Sequence, residues 1–363
     1  MKQRIPYLDG IRGIACLLVF LNHFLLTFYP ATYFGAEAVS HCKSGLDASF
    51  AQSPLGVLAM GNFWVFVFFT ISAFVISCKI MTETDYESLS RSLIKRYFRL
   101  FFPVLAVCLL ILVLSNLDLF TNNIAAEITG SPLIQNRYNE KLTFSKLISV
   151  TFVRIWLQSD ESFSNAFWML TTLFLGGFFS SILSIMAGKK NQRMLVLYGF
   201  FALLLVYVNS LYLSFVFGTM LAYIAVRHSR ILDAVRARKP LCLTAALLTL
   251  FGLFLGGYPT GVAAPTNIYR FFQHTPHFVS AYQIYHIIGA AFLLAGLLCL
   301  EKVQKALSMK GFQFLGNISF AVYLLNLPFI FSFSCTMFLA LYKDGASMSY
   351  NLCTALTFTA TTA

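Results

Sequence analysis

The sequence predicts an all-α fold: a polytopic membrane protein with about ten transmembrane helices, a cytoplasmic N-terminus, and residues 1–363 forming a single domain. Three observations carry this expectation. Hydrophobic residues make up 58% of the 363-residue chain and charged residues 11%, with a mean hydropathy of +0.74, whereas soluble domains carry about 25% charged residues. That balance excludes a disordered chain, a coiled coil and an ordinary soluble enzyme. The apolar residues gather into runs, many of them near the roughly 20 residues that cross about 30 Å of hydrocarbon. The basic residues fall in short segments between those runs.

The runs lie at 6–29, 57–80, 97–117, 163–187, 194–208, 210–226, 241–258, 279–300, 313–341 and 350–363. The first carries Asp9, Arg12 and His23 and no small-residue cleavage site follows it, so it is not a secretory signal. Between the third and fourth lies the largest loop, 118–162, in which 142–157 is expected to form an interfacial helix with Trp156 at the headgroup boundary. An additional buried segment is the alternative there. The fifth run is short, and Asn209-Ser210 predicts a tight uncharged turn into the sixth. The last run stops at Ala363 without a polar flank, so its helix is expected to be truncated or to end at the membrane surface. There is no internal repeat.

The chain carries 26 Lys and Arg against 14 Asp and Glu, a net charge of +12. With the N-terminus inside, the inner segments hold Lys2, Arg4, Lys79, Arg91, Lys95, Arg96, Arg99, Lys189, Lys190, Arg193, Arg227, Arg230, Arg236, Arg238, Lys239, Lys302, Lys305 and Lys310. The outer segments hold only Lys43, Arg137, Lys141, Lys146, Arg154, Arg270 and Lys343. This asymmetry orients the chain. It also disfavours nucleic acid as a partner, because no basic stripe is interleaved with base-stacking aromatics. None of the eight cysteines forms a Cys-x-x-Cys pair, and His274 and His277 have no third ligand at suitable spacing, so no metal site is expected.

Ionisable groups inside a span point to function. Arg12 and His23 are eleven residues apart. At 100° per residue they differ by roughly 20° around the helix and by about 16 Å along it, so they share one face. Asp9 is placed to pair with Arg12 at i,i+3. A lone intramembrane histidine is as readily a core hydrogen-bonding group as a base; the aligned arginine shifts the balance toward function. His23 lies about 21 Å from Asp9 and needs its partner from another helix. Arg96 and Arg99 project side by side at the start of the third run, where arginine forks suit phosphate oxygens and equally suit an inner-face anchor. Tyr285-His286 lies in the eighth run and reads more readily as core.

Tyr7-Leu-Asp-Gly-Ile-Arg-Gly-Ile-Ala15 followed by His23 resembles the opening of the acyltransferase-3 family of integral membrane acyltransferases. The Arg-x10-His pattern of that family falls on Arg12 and His23, and its Arg-x-x-Arg on Arg96 and Arg99. Phe68-Phe-Thr-Ile-Ser-Ala-Phe-Val-Ile76 resembles its second-helix signature, and the stretch from Phe314 to Pro328 resembles its late motif. The matches keep their order over nearly the whole chain. The resemblance implies a ten-helix enzyme moving an acyl group, usually acetyl, from acyl-CoA to a hydroxyl of an envelope glycan or similar acceptor. His23 and Arg12 would be catalytic, His23 as general base or acyl relay. Arg96 and Arg99 would bind the phosphates of acetyl-CoA, which is a donor substrate rather than a tightly bound cofactor. Asp9, Ser72, Trp168, Tyr323 and Asn326 would line the substrates, with Ser72 a weaker oxyanion donor than Arg12.

Three positions depart from the family pattern: Leu173 stands where many relatives carry a carboxylate, Asn326 where many carry a histidine, and Ser72-Ala73 replaces Ser-Gly. No outer esterase-like domain is appended, so a separate outer-face partner could complete the transfer. Two other classes compete with the enzyme. A glycan or lipid transporter would also line a path with Arg and His, but the chain lacks inverted repeats and paired broken helices. An acyltransferase-like partner without catalysis is favoured by Leu173 and Asn326.

Overall fold

The computed structural model describes the backbone of residues 5–82, 86–187, 193–342 and 348–363, and the side chains of all of these except 86–94. Lys2, Arg4, Lys189, Lys190 and Lys343 lie outside the described residues, as does the side chain of Arg91. Among the described residues there is no strand. The main helices are α1 (Pro6–Phe28), α2 (Gly61–Thr82), α3 (Tyr86–Asn116), α4 (Trp168–Ala187), α5 (Arg193–Tyr207), α6 (Leu213–Arg227), α7 (Ser229–Ala237), α8 (Lys239–Gly256), α9 (Ala281–Leu297), α10 (Lys310–Phe329) and α11 (Tyr350–Thr362).

Each of the ten apolar runs forms a helix. Among the described residues, six stretches are long and apolar enough to cross a membrane unaided: Pro6–Phe28, Gly61–Thr82, Lys95–Asn116, Asn165–Ala187, Lys239–Gly256 and Lys310–Leu341. Ala281–Leu297 with Glu301–Leu307, bent by 100°, makes a seventh if taken as one broken span. The 15-residue α5 and α6 and the 13-residue α11 rise only about 20–22 Å each, and these three make up the difference between seven and ten. Their hairpin turns at Asn209, whose φ of 49° is one that asparagine tolerates. Large apolar side chains cover the outside, Val196 and Leu203 being 74% exposed, as a lipid-facing surface requires. The protein is a multi-pass membrane protein.

Contacts between helix ends define the two faces. Tyr7 at the start of α1 lies within charge range of Cys78 near the end of α2, Arg236 of α7 and Cys299 beyond α9. Arg236 also donates to the Leu298 carbonyl at 2.8 Å, and Arg227 at the end of α6 donates to the Met81 carbonyl at 2.9 Å. One face therefore gathers the N-terminal end of α1 with the basic ends of α2, α6, α7 and α8; we call it the basic face.

The helical run 144–157 packs lengthwise on a neighbouring helix. It folds back along α3, from Asn116, whose Nδ2 donates to the Leu142 carbonyl at 3.0 Å, to Tyr97, whose hydroxyl donates to the Phe152 carbonyl at 3.4 Å. Trp156 is 2% exposed, gives its Nε1 hydrogen to the Thr151 carbonyl, and packs on Tyr97 and Phe174. The run is apolar on both sides: Leu147, Val150 and Ile155 face inward while Phe144, Phe152 and Leu157 are exposed. Its charged residues are Lys146 and Arg154, and Arg154 pairs with Asp160 at 2.7 Å.

α1 and α10 carry the site. They run parallel at a constant offset of 303 residues: Cys16 donates to the Ser319 carbonyl at 3.0 Å, and His23 meets Asn326 one heptad further on. Glycine allows the approach. A Cβ on Gly13 would meet the Gly316 nitrogen at 2.7 Å, and one on Gly316 would overlap the Asp9 carbonyl. Small residues at the contact let the backbones close in, as helices in lipid require.

Candidate active site

The seam of α10 facing α1 is polar at Gly316, Ser319, Tyr323 and Asn326, a 3-4-3 spacing that keeps all four on one stripe. Beyond it α10 contains Pro328 and passes into a π-helical turn at Ile330–Ser334. Such turns often mark functional positions in helices.

Asn326 is 3% exposed. Its Nδ2 donates to the Tyr323 carbonyl at 2.9 Å, and its Oδ1 lies 2.9 Å from His23 Nδ1. The first bond fixes the amide orientation, since a flipped amide would set oxygen against oxygen. Oδ1 can then only accept, so His23 Nδ1 carries the hydrogen and donates it. In the neutral ring, Nε2 is left as a free lone pair. His23 is half-buried, whereas Asn326 behind it is sealed. The arrangement is an oriented imidazole with a bare basic nitrogen.

The other sequence-predicted residues fall into two groups. Tyr323 is 3% exposed and gives its hydroxyl hydrogen to the Ala166 carbonyl at 2.8 Å, tying α10 to the segment that opens α4. Trp168, two residues on, is half-buried with its ring edge toward Phe69 at 6.2 Å. Ser72 is half-buried on α2. Toward the basic face, Arg12 pairs with Asp9 at 3.8 Å and keeps 42% of its side chain exposed. The charges of Arg99 and Arg12 both bear on Arg96, so the three guanidinium groups form one cluster. Arg99 is exposed, whereas Arg96 is only 8% exposed. His286 is fully buried, held at Nε2 by the Tyr258 carbonyl at 2.8 Å between Phe63 and Phe66.

The model of the acyltransferase-domain family matches residues 5–360. The chain belongs to the acyltransferase-3 family. Neither a curated protein nor a solved structure matches it. The protein is a membrane acyltransferase, and the opening arginine and histidine of the family pattern are the two ends of the α1 stripe.

Three features of this acyltransferase were not legible in its sequence. The carbonyl of Leu173, the residue that stands in place of the family's carboxylate, accepts from Arg96 Nη2 at 2.7 Å. Gly177 leaves room for the same guanidinium, because a Cβ there would overlap its Cζ. Arg96 Nε is buried without a hydrogen-bond partner among the described residues. The third is Glu161, in the loop before α4, whose charge bears on Tyr323 and which Arg137 faces. Burial raises the Glu161 carboxyl above its ordinary range, against the pull of Arg137. A backbone carbonyl and an absent side chain leave no motif, and a loop carboxylate next to Asp160 reads as solvated.

Proposed function

We propose that this membrane acyltransferase is an O-acyltransferase of the cell membrane, taking an acetyl group from acetyl-CoA and passing it to a hydroxyl of an envelope or surface glycan. The observation that carries the reading is the hydrogen bond from His23 Nδ1 to Asn326 Oδ1, which leaves Nε2 as a base. Nε2 takes the proton of the acceptor hydroxyl as its oxygen attacks the thioester carbonyl. The C–S bond then breaks, and the departing thiolate recovers the proton from the imidazolium. Arg12, Arg96 and Arg99 suit the phosphates of the donor, with Arg12 also able to offset developing negative charge. The N-terminus is cytoplasmic in this reading, so the basic face meets the donor pool, and a separate outer-face partner receives the acyl group if transfer is completed there.

The test is the purified protein in liposomes with labelled acetyl-CoA and a glycan acceptor. Transfer to the glycan, or slow thioester hydrolysis without it, is the expected result. CoA binding without turnover would instead make the chain a non-catalytic partner.

A further inference from the structure

α4 ends at the basic face, where Ala187 shares a buried cluster with Met81. At its other end, the preceding loop carries two adjacent carboxylates in different surroundings. Asp160 is buried and satisfied: Arg154 Nη2 pairs with it at 2.7 Å, and the Ser162 N–H donates to its Oδ1 at 2.8 Å. Glu161 is half-buried, and the charge of the half-buried Arg137 bears on it. Among the described residues, neither that carboxylate nor that guanidinium makes a hydrogen bond or a close ion pair. The two charges face one another without closing.

The fold holds both in place. Arg137 lies between Asn136 and Tyr138, whose φ values of 55° and 57° are left-handed, which is uncommon for a bulky residue such as tyrosine. Its N–H donates to Asn123 Oδ1 at 3.3 Å, and its carbonyl accepts from Asn123 Nδ2 at 2.8 Å. The Tyr138 hydroxyl donates to the Phe163 carbonyl, tying the Arg137 turn to the Glu161 loop. On the other side of Glu161, Ser159 gives its N–H to Thr171 Oγ1 of α4 at 3.0 Å. The pair stands beside the polar seam of α10. The charge of Glu161 bears on Tyr323, whose carbonyl accepts from the same Asn326 amide that holds His23.

An open pair of this kind leaves donors on one side of a gap and acceptors on the other. A hydroxyl does both, so neighbouring hydroxyls can bridge the gap with charge-assisted hydrogen bonds at each end. An anionic group would meet Arg137 and be repelled by Glu161. We propose that Arg137 and Glu161 bind the acceptor, and that the acceptor unit they hold is a neutral, polyhydroxylated sugar. This rests on the O-acyltransferase reading, in which a hydroxyl is brought to His23.

The test reads binding without turnover. The full chain in detergent, with no donor present, is titrated with neutral oligosaccharides of hexose, deoxyhexose and N-acetylhexosamine units, with uronate-containing oligosaccharides of the same length, and separately with CoA. At least one neutral oligosaccharide should bind. Arg137→Gln and Glu161→Gln should each weaken it by about tenfold or more, as loss of a hydrogen bond to a charged group does. Melting temperature and CoA affinity should stay at wild type, because neither charged end ties the loop. Neutral glycan bound in this way without turnover of labelled acetyl-CoA would sink the acyl-transfer reading and leave the sugar site standing. Binding of no neutral oligosaccharide, or wild-type affinity in either variant, would overturn the proposal. So would uronates that bind more tightly than the neutral set and gain affinity in Glu161→Gln, which would give Arg137 to an anion. A joint fall in melting temperature and CoA affinity would also overturn it, by making the pair a structural tie.

Discussion

At the scale of single residues, the proposed mechanism depends on an amide that orients an imidazole. Removing the base should abolish turnover without unfolding the chain: His23→Ala is expected to melt near wild type and to lose about 10²-fold or more in acyl transfer, measured with labelled donor in liposomes. In the proposed mechanism Asn326 acts through His23, as a positioning residue. Asn326→Leu removes the acceptor for Nδ1–H and should lower kcat by about tenfold or more while leaving donor KM unchanged. Asn326→Asp keeps an oxygen facing Nδ1 and should retain most of the activity; equal loss in both variants would show that Oδ1 does not orient the ring. Gly177 governs Arg96 by being empty. Gly177→Ala must displace the guanidinium and should raise donor KM as Arg96→Ala does, with kcat less affected. From the sequence, His23, Arg12, Arg96 and Arg99 were legible because each belongs to a local pattern. Asn326 was visible only as a departure, because its partner lies 303 residues away.

At the scale of elements, the parallel α1–α10 pair sets the distance between base and amide. Gly13→Val would press a branched side chain into the α10 backbone at Gly316 and Leu315. Overpacking of this kind costs about 1–3 kcal/mol, so both the melting temperature and kcat should fall; loss of kcat alone would mean that the glycine serves something other than packing. The segment between α1 and α2 has its own anchor at Asp47. Burial would push this carboxyl up, but hydrogen bonds from Ser40 Oγ and the N–H groups of His41 and Ala48 outweigh it and hold it below the usual carboxylate range. A carboxyl depressed in the folded state stabilises above its unfolded pKa of about 3.9, and the contribution is lost as pH falls through the folded value. Asp47→Asn should therefore lower the melting temperature at neutral pH, with the gap to wild type closing as the solution is acidified below that range. For the run 144–157 the sequence left the packing of Trp156 open; the structure encloses its ring against Tyr97 and Phe174.

At the scale of the molecule, the proposed sidedness rests on charge. A cysteine introduced at Arg236 should be protected from an impermeant reagent in intact cells and labelled after permeabilisation; labelling in intact cells would invert the map. The sequence by itself determined the all-helical membrane class, the position of every apolar run and the family, because hydropathy over a window of about 20 residues and motifs at fixed spacing are properties of a contiguous stretch. It also carried the proposed inner segments as a charge count. Only the tertiary structure decided that Asn326 holds His23, that the Leu173 carbonyl and the vacancy at Gly177 seat Arg96, and that Trp156 is enclosed. These depend on which helix faces meet and in what register. Lipid tails are as apolar as the side chains they touch, so hydropathy does not choose the faces; small residues and polar pairs do, and their partners are known only once the helices have packed.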